Sequence, residues 1–341
     1  MRTLMYSPQA ADPHISLFRA RLLGWYDSHA RDLPWRKSRD PYRIWLSEIM
    51  LQQTRVAAVI EHYHQFLRRF RTVEKLAAAR ESSVLAAWSG LGYYRRARML
   101  HAAAKVVVRE LRGEFPGTAG GLKQLPGIGR YSAAAIASIA FDEPIAVVDG
   151  NVERVLRRFF ADDLPQEKVW QAAESVLDRS RPGDFNQAMM ELGATTCTPR
   201  APACLTCPVM ELCATRGERP AAAKLPRQQK RDIHLSLARR NGSVFLVQRP
   251  LDASLMAGMW ELPEIFASPS TGNHRRNETE NGKPELLFKV RHSITVTDYT
   301  VQVWQSDSSD AAGQWISARR LSKLALTGLA RKILRRAEIL S

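Results

Sequence analysis

Four cysteines lie close together just past the middle of the chain, and their spacing indicates metal chemistry. Cys197, Cys204, Cys207 and Cys213 are all the cysteines in the sequence. Disulfide frameworks spread their bridges along a chain, so this clustering predicts a metal site in a reducing compartment. A structural zinc site usually shows two tight cysteine pairs, whereas here only Cys204 and Cys207 form one. Four thiolates on one short loop favour a [4Fe–4S] cluster, with zinc as the alternative.

Two carboxylates stand in surroundings that suit acid–base or electrostatic chemistry. Glu48 lies in a strongly apolar segment of helical spacing, Trp45–Thr54. Burial without a cationic partner raises the pKa of a carboxyl group, which can then act as an acid near neutral pH. The alternative is a solvated Glu on the polar face of an amphipathic helix. Asp149 follows an apolar run and precedes a predicted helix over 152–160, where the ordinary role of Asp is to cap the helix.

A glycine-rich turn precedes another predicted helix, over 133–140. Residues 125–132 read Leu-Pro-Gly-Ile-Gly-Arg-Tyr-Ser. Gly127 and Gly129 leave backbone N–H groups free to face an anion, and the helix N-terminus adds a favourable field. Two glycines at this spacing also occur in ordinary turns between helices. In a basic, helical chain the whole segment predicts a helix–hairpin–helix, which binds DNA phosphates without reading the base sequence.

The charge balance restricts the class of partner. The chain has 341 residues with 50 Lys and Arg against 34 Asp and Glu, a formal net charge of +16. This excess favours an acidic polymer, nucleic acid first. It is densest over 53–111, which carries eleven basic and four acidic side chains. The sequence has no apolar run of about 18 residues and no apolar signal core at its N-terminus. We therefore expect a cytoplasmic, nucleoid-associated protein with no membrane segment.

Hydrophobic periodicity divides the chain into two domains. Residues 1–217 show mostly helical spacing, interrupted by short Pro and Gly breakers. Residues 218–231 are basic, contain prolines and predict a linker. Over 232–341 the period changes to two and β-branched residues become frequent, which predicts strands followed by two helical stretches, the last over 328–340. The predicted fold class is multidomain, an all-α domain followed by a smaller α+β domain.

Several segments match one family in the same order along the chain. They are Leu33–Arg36, Trp45–Thr54, Leu91–Arg98, Leu125–Ser132, Val148–Val152, Phe185–Ala188 and the four cysteines. On these segments the chain resembles the adenine DNA glycosylases of the MutY type, within the helix–hairpin–helix, iron–sulfur DNA glycosylase superfamily. The resemblance covers essentially the whole chain and is strongest over 15–215.

The resemblance implies a fold, a cofactor and a reaction. The fold would be an all-α helix–hairpin–helix glycosylase domain with a [4Fe–4S] loop, plus an α+β Nudix-like (MutT-like) lesion-recognition domain. The enzyme would be a monomeric, monofunctional DNA N-glycosylase of base excision repair. It would flip adenine mispaired with 8-oxoguanine or guanine out of double-stranded DNA. Glu48 would be the general acid, and Asp149 would stabilise the oxocarbenium ion. Tyr131 and Asn151 would support the acid and the sugar.

The resemblance also assigns residues around the flipped base and along the duplex. The adenine pocket would be lined by Arg31, Trp35, Arg36, Leu51 and Gln187. Gln53 and Tyr93 would wedge into the duplex, with Thr54, Leu91 and Gly92 near the opposite base and Gly127 and Gly129 at the phosphates.

Two alternatives share part of this pattern. An endonuclease III-like glycosylase–lyase has the same fold and cluster, but its lyase step needs a Lys amine where this chain has Tyr131. A phenol cannot form an imine, so we expect no strong lyase activity. A non-catalytic, redox-sensing DNA-binding protein is the other alternative. It would have no need of both Glu48 and Asp149.

The C-terminal domain lacks one motif of working Nudix hydrolases and departs from the family pattern at one point. A working Nudix hydrolase shows an acidic cluster that holds magnesium, and none follows Pro263, so this domain should bind rather than hydrolyse. The family reads 8-oxoguanine with a Phe-Ser-His turn, where this chain has Ile294-Thr295-Val296. Thr295 keeps a hydroxyl, but Val296 cannot donate the hydrogen bond of an imidazole. We therefore expect weaker discrimination between 8-oxoguanine and guanine than a Phe-Ser-His enzyme shows.

Overall fold

The computed structural model describes residues 12–162, 164–216, 229–253, 255–265, 285–294, 297–306 and 312–340. Contacts among these residues divide the chain into two units. The first contains the described residues up to Tyr63, then Thr72–Glu74 and those from Ala102 to 216. The second joins His64–Arg71 and Lys75–His101 to the described residues from Gln229 onwards. The linker predicted over 218–231 lies outside the described residues up to 228, but its last three residues belong to a strand that begins at Gln229, so the predicted end at 231 is corrected to 228 at the latest.

Helices account for most of the described residues before 217, as the apolar spacing predicts. Their bounds are α1 (Pro13–His29), α2 (Pro41–Leu51), α3 (Val56–Arg69), α4 (Val73–Ala77), α5 (Glu81–Trp88), α6 (Tyr94–Glu110), α7 (Ala119–Leu122), α8 (Arg130–Phe141), α9 (Gly150–Phe160), α10 (Gln166–Val176) and α11 (Pro182–Thr195). Short 3₁₀ turns occur at Pro34–Arg36, Cys204–Thr206 and Met210–Leu212. None of the helices described has the length and apolar character needed to cross a membrane.

The helices that carry the candidate site begin at recognisable capping signals. The Asp40 side chain accepts a hydrogen bond from the Tyr42 N–H, and Pro41 occupies the first turn of α2, where its missing N–H costs nothing. Asp149 caps α9, which therefore begins two residues before the predicted start at 152. One core of the first unit is formed by apolar residues of α1, α8, α9, α10 and α11. This packing fixes the helix ends that meet at the site.

The second unit contains a mixed β-sheet. Its described strands are β1 (Gln229–Arg240), β2 (Ser243–Gln248), β3 (Trp260–Glu261), β4 (Leu286–Ile294), β5 (Thr297–Ser306) and β6 (Gly313–Ser317). Strand β1 runs parallel to β5, and the other pairings are antiparallel. The order is β3-β2-β1-β5-β4, and β6 also pairs with β2. The helices α12 (Ala318–Leu321) and α13 (Gly328–Arg336) follow, and α13 packs into the same core.

The predicted fold class is confirmed, with one further boundary corrected. The last helix was expected over 328–340, but it ends at Arg336. The chain reverses there because Glu338 takes a left-handed φ of 58°, and the Ile339 N–H bonds to the Leu334 carbonyl. This reversal returns Leu340, which is 8% exposed, to the core. A helical pattern in the sequence continues through such a reversal because the buried side chain at its end keeps the apolar spacing.

Candidate active site and cysteine loop

A cavity of about 570 Å³ in the first unit brings most of the predicted site residues together. Its wall includes the two predicted catalytic carboxylates and their two supporting residues. It also includes all five residues predicted to hold the base, and two of those predicted to contact DNA. These lining residues are Glu48, Asp149, Tyr131, Asn151, Arg31, Trp35, Arg36, Leu51, Gln187, Gln53 and Thr54. Residues more than 150 positions apart in the chain therefore share one concave site.

Glu48 is buried in the wall of this cavity and lies on the apolar helix α2. Its residue is 6% exposed, and the Tyr131 hydroxyl donates a hydrogen bond to Glu48 Oε2 at 2.8 Å. The pKa of Glu48 is raised to about 7, chiefly by burial and also by the charge of Asp149, and against the opposing effects of the Tyr131 hydrogen bond and Arg36. A carboxyl group with this pKa carries a proton for transfer near neutral pH. The alternative of a solvated helix face is excluded.

Tyr131 is placed against Glu48 by the first turn of α8. Burial, followed by the charges of Glu48 and Asp149, raises the pKa of Tyr131 well above its ordinary value. The phenol therefore stays protonated and acts as a hydrogen-bond donor to Glu48. No lysine is found among the described residues that line the cavity. The cavity thus lacks the amine that a Schiff-base lyase requires.

Asp149 caps a helix and lines the cavity at the same time. Its Oδ1 accepts hydrogen bonds from the backbone N–H groups of Asn151 at 2.9 Å and Val152 at 2.8 Å. Its Oδ2 accepts from the Asn151 side-chain amide at 3.0 Å. The cap and the catalytic interpretation are therefore compatible, because the N-cap geometry aims this carboxylate into the site. Its negative charge also contributes to the raised pKa of Glu48.

The segment leading to Asp149 is held by a buried amide on α11. Asn186 is 2% exposed, and its Nδ2 donates to the Ile145 carbonyl and to Ser138 Oγ, both at 2.9 Å. Its Oδ1 accepts from the Val147 N–H at 3.2 Å. A single side chain thus supplies hydrogen-bond partners to backbone groups of an extended segment that does not pair with a strand. Its effect is to fix the position of Asp149 relative to α8 and α11.

Glu191 is a site residue that sequence reasoning missed. It is 1% exposed, and its two carboxylate oxygens accept hydrogen bonds from Arg31 Nε at 2.6 Å and Arg36 Nη2 at 2.8 Å. Burial opposes its ionisation, but the hydrogen bonds and charges of the two arginines outweigh burial and lower the pKa of Glu191 to about 2. Two cations predicted beside the base are therefore anchored by a buried anion. The sequence signal that could have indicated Glu191 was that Arg31 and Arg36, if placed in the pocket, would need an anionic partner.

We expect Glu191→Gln to lower the free energy of unfolding by about 3 kcal/mol, because removing one member of a buried ion network leaves its partners unpaired. Urea unfolding measures this loss. Glu167→Gln is the matched control, since Glu167 forms an exposed ion pair with Arg130 and its loss should change stability little. Because the pKa of Glu191 is depressed in the folded protein, its contribution is complete above about pH 4.5 and falls as the pH falls towards 2. Equal losses in the two variants would contradict the assignment.

The two predicted wedge residues share an uncommon backbone conformation. Gln53 has φ 55° and Tyr93 has φ 47°, in the left-handed region that non-glycine residues seldom occupy. Gln53 is exposed, and Tyr93 is 46% exposed. Leu91, by contrast, is 5% exposed, so its side chain packs inside the protein. Strained residues that persist at a surface are held there by their surroundings, which is typical of functional sites.

The predicted hairpin is present between α7 and α8. Gly127 has φ 76°, which a residue with a side chain would adopt only under strain, and Gly129 is the N-cap of α8. No side chain of Gly129 exists to satisfy the free N–H groups of the first turn of α8. These donors and the helix field suit an anion.

The four cysteines lie around one small cavity at the end of α9. Each thiol is partly buried. Burial raises the pKa of the Cys207 thiol to about 11. Arg158, which is 7% exposed, donates to Cys197 Sγ at 3.3 Å and to the Thr198 carbonyl at 2.8 Å. Four converging sulfurs beside a buried guanidinium suit an anionic cluster that binds thiolates.

Arg154 connects the cysteine loop to the N-terminal end of α9, which Asp149 caps. Its Nε donates to the Cys197 carbonyl and its Nη2 to Asn151 Oδ1, both at 2.8 Å. Asn151 in turn bonds to Asp149. Helices α9 and α11 approach closely here, since a Cβ at Gly193 would lie 2.6 Å from the Asn151 Cβ. The geometry around Asp149 therefore depends on the cysteine loop being in place.

Three further predictions concern residues away from this cavity. Gly92 and Tyr93 lie in the turn between α5 and α6, in the second unit. The predicted opposite-base residue Thr295, with Val296, lies outside the described residues. Strand β4 ends immediately before it, at Ile294.

Family models match three parts of the chain. Residues 46–178 match a model described as an HhH-GPD superfamily base excision DNA repair protein. Residues 197–213, which span the four cysteines, match the iron–sulfur binding domain of endonuclease III. Residues 234–336 match a NUDIX domain. The cofactor prediction is confirmed, and the site binds a [4Fe–4S] cluster.

Relatives of known activity match most of the chain. Adenine DNA glycosylase of Mus musculus is 35% identical over 95% of this chain and 78% of its own length. The enzymes of Rattus norvegicus and Buchnera aphidicola (strain Bp) are 40% and 38% identical, over 64% and 86% of their own lengths. The chain therefore spans somewhat less than two thirds of the rat enzyme.

Solved structures match the helical part. A thermostable thymine-DNA glycosylase is 30% identical, with a TM-score of 0.57 over 60% of this chain and 98% of its own. A trapped endonuclease III–DNA covalent intermediate is 22% identical, with a TM-score of 0.53 over 61% of this chain and 98% of its own, a likeness of fold.

Proposed function

This chain belongs to the adenine DNA glycosylase family, and from that premise we propose that it excises adenine mispaired with 8-oxoguanine or guanine in double-stranded DNA. The relatives and the family models support a monofunctional DNA glycosylase of base excision repair. The observation that carries the finer proposal is a buried, proton-carrying Glu48 in the same cavity as Asp149, with a volume of about 570 Å³ that can admit a flipped base. We also propose that the protein acts as a monomer, in the cytoplasm, on nucleoid DNA.

In the proposed mechanism the mispaired adenine leaves the base stack and enters the cavity, because its glycosidic bond is inaccessible inside the duplex. Glu48 gives its proton to adenine N7. The electron pair of the C1′–N9 bond then moves to the base, which leaves as neutral adenine. The sugar becomes an oxocarbenium ion, whose positive charge lies near the carboxylate of Asp149. Water adds to C1′ and loses a proton to solvent, which leaves an abasic site.

Hydrogen bonds hold each of the two carboxylates in place. Tyr131 donates to Glu48 and holds its orientation. Backbone N–H groups and the Asn151 side chain donate to Asp149 and hold that carboxylate at the end of α9. Arg31 and Arg36, paired with Glu191, offer fixed donors at the wall that would face the base. When bound, the [4Fe–4S] cluster supplies four iron–thiolate bonds that hold the cysteine loop.

The pH dependence of excision should report the protonation of Glu48. A raised carboxyl pKa of about 7 means that the active, protonated form is lost as the pH rises through 7. We therefore expect the single-turnover rate to fall above about pH 7. Tyr131→Phe should move this fall to higher pH, because the Tyr131 hydrogen bond lowers the pKa of Glu48. A single-turnover rate that stays constant as the pH rises through 7, with DNA binding unchanged, would exclude Glu48 as the acid.

Excision from a series of duplexes tests the proposed substrate. The duplexes carry adenine opposite 8-oxoguanine, guanine, cytosine or thymine, with enzyme in excess so that product release does not limit the rate. We expect excision opposite 8-oxoguanine and guanine with only a small difference between them, since Val296 lacks an imidazole donor. A preference for 8-oxoguanine as large as that of a Phe-Ser-His enzyme would contradict this expectation. Strand cleavage without added base would favour the glycosylase–lyase alternative.

A further inference from the structure

The turn between α5 and α6, residues 89–93, is held in its shape by side chains of the two helices that flank it. Gly90, Gly92 and Tyr93 all have positive φ, of 111°, 69° and 47°. Trp88 Nε1 donates to the Gly92 carbonyl at 3.1 Å, and Arg96 Nη2 donates to the Leu91 carbonyl at 3.2 Å. The Arg96 guanidinium lies 5.5 Å from the Trp88 ring centroid and 5.3 Å from that of Tyr93. This turn, hereafter the wedge turn, presents the exposed Tyr93.

The same turn is bonded to the C-terminal part of its own unit through buried groups. The Leu326 carbonyl accepts from Ser89 Oγ at 2.9 Å and from the Tyr94 hydroxyl at 3.1 Å. Arg331 Nε donates to Ser89 Oγ at 3.0 Å. Ser89, Tyr94 and Leu326 are 4%, 5% and 0% exposed. The Ser89 hydroxyl therefore both donates and accepts, and it links two positions that are 237 apart in the chain.

The segment from Leu326 to Lys332 contacts strand β4 as well. A Cβ at Gly328 would lie 3.7 Å from His292 Cε1. Lys332 Nζ donates to the Arg291 carbonyl at 2.7 Å. Arg291 and His292 are on β4, which ends at Ile294 directly before the residues that would read the opposite base. One short segment thus touches the wedge turn and the strand that leads to the proposed reader.

We propose that Ser89, Tyr94 and Arg331 are positioning residues that fix the wedge turn to strand β4, and that this attachment contributes to opposite-base discrimination. The proposal rests on the proposed function for its consequence on specificity, but the mechanical coupling stands on the contacts alone. A non-glycine residue in the left-handed region, as Tyr93 is, persists only where its surroundings determine its conformation. Buried hydrogen bonds that involve a guanidinium are strong enough to do so.

Hydrogen exchange of the full-length protein tests the mechanical coupling without any DNA. Arg331→Met keeps the apolar stem and removes the guanidinium that bonds to Ser89. Arg335→Met is the matched control, because it removes the same charge from an exposed position one turn later on α13. We expect amides of residues 88–96 to exchange about tenfold faster in Arg331→Met, as expected for one charged hydrogen bond, and unchanged in Arg335→Met. Equal exchange in the two variants would overturn the proposal.

Opposite-base discrimination tests the functional consequence. We expect Arg331→Met to lower the ratio of excision rates opposite 8-oxoguanine and opposite cytosine by about tenfold, while Arg335→Met keeps the wild-type ratio. Tyr94→Phe, which loses one bond to the Leu326 carbonyl, should lower the ratio by a smaller factor, and it replaces Arg331→Met if that variant fails to fold. Faster exchange with an unchanged ratio would overturn the coupling to specificity. Absence of adenine excision by the wild type would instead refute the proposed function and leave the exchange result standing.

Discussion

Glu48→Gln is expected to remove adenine excision while leaving DNA binding close to that of the wild type. Glutamine has nearly the same shape, and its amide oxygen can still accept the hydrogen bond from Tyr131. It has no proton to give to adenine at any accessible pH. General acids contribute about 10² to 10⁴ in rate, so the single-turnover rate should fall by at least about 10². Excision by this variant at the wild-type rate would refute the mechanism.

The stability of the same variant provides a second, independent readout. The pKa of Glu48 is raised in the folded protein, to about 7, so the unfolded chain loses its proton first as the pH rises. Wild-type stability should therefore decrease between about pH 4.5 and 7 on account of this residue. Glutamine does not ionise, so Glu48→Gln should not show this decrease in stability and should be at least as stable as the wild type above pH 7. Glu110→Gln, at the exposed end of α6, is the control and should change neither rate nor stability.

Asp149→Asn separates the two roles of Asp149. Asparagine is as good an N-cap as aspartate, so α9 should keep most of its stability, while the negative charge facing the sugar is lost. We expect the single-turnover rate to fall by about 10² or more. Electrostatic groups of this kind contribute about that factor. Asp149→Ala should lose the rate and also about 1 kcal/mol of unfolding free energy, because the N–H groups of Asn151 and Val152 lose their acceptor.

Asp149→Ser controls for a local clash. The amide nitrogen of an asparagine at this position would face the Asn151 side-chain amide, which now donates to Asp149 Oδ2. Serine caps the helix without such a donor and without a charge. Both uncharged caps should therefore be slow, with stabilities above that of the alanine variant. A serine or asparagine variant with the wild-type rate would mean that Asp149 only caps α9.

Local patterns in the sequence predicted the elements of the site well. The apolar neighbours of Glu48 indicated its burial, and the glycines at 127 and 129 indicated the hairpin. The sequence left two roles open for Asp149, because helix capping and catalysis require the same residue at the same position. The structure shows that the carboxylate that caps α9 also lines the cavity, as the predicted catalytic role requires.

Local sequence patterns could not predict contacts between distant parts of the chain. Glu191 pairs with Arg31 across 160 positions, and neither helical spacing nor composition indicates which buried carboxylate meets which arginine. In the same way, residues 64–71 and 75–101 cluster with the C-terminal part of the chain. Pairings such as Ser89 with Leu326 depend on the packed arrangement of elements, which short-range periodicity does not encode.

In the predicted role of Gln53 and Tyr93 as wedges, their left-handed backbones would affect how quickly DNA can be searched. Their conformational cost is met when the protein folds, so no loop ordering is required each time the protein meets a new base pair. A flexible probe would lose entropy at every trial, and the time spent at each undamaged pair would lengthen. With rigid probes, the delay at each pair is governed by how readily that pair unstacks. Mismatched pairs unstack more easily than matched ones, so a sliding protein would pause at the pairs that need repair.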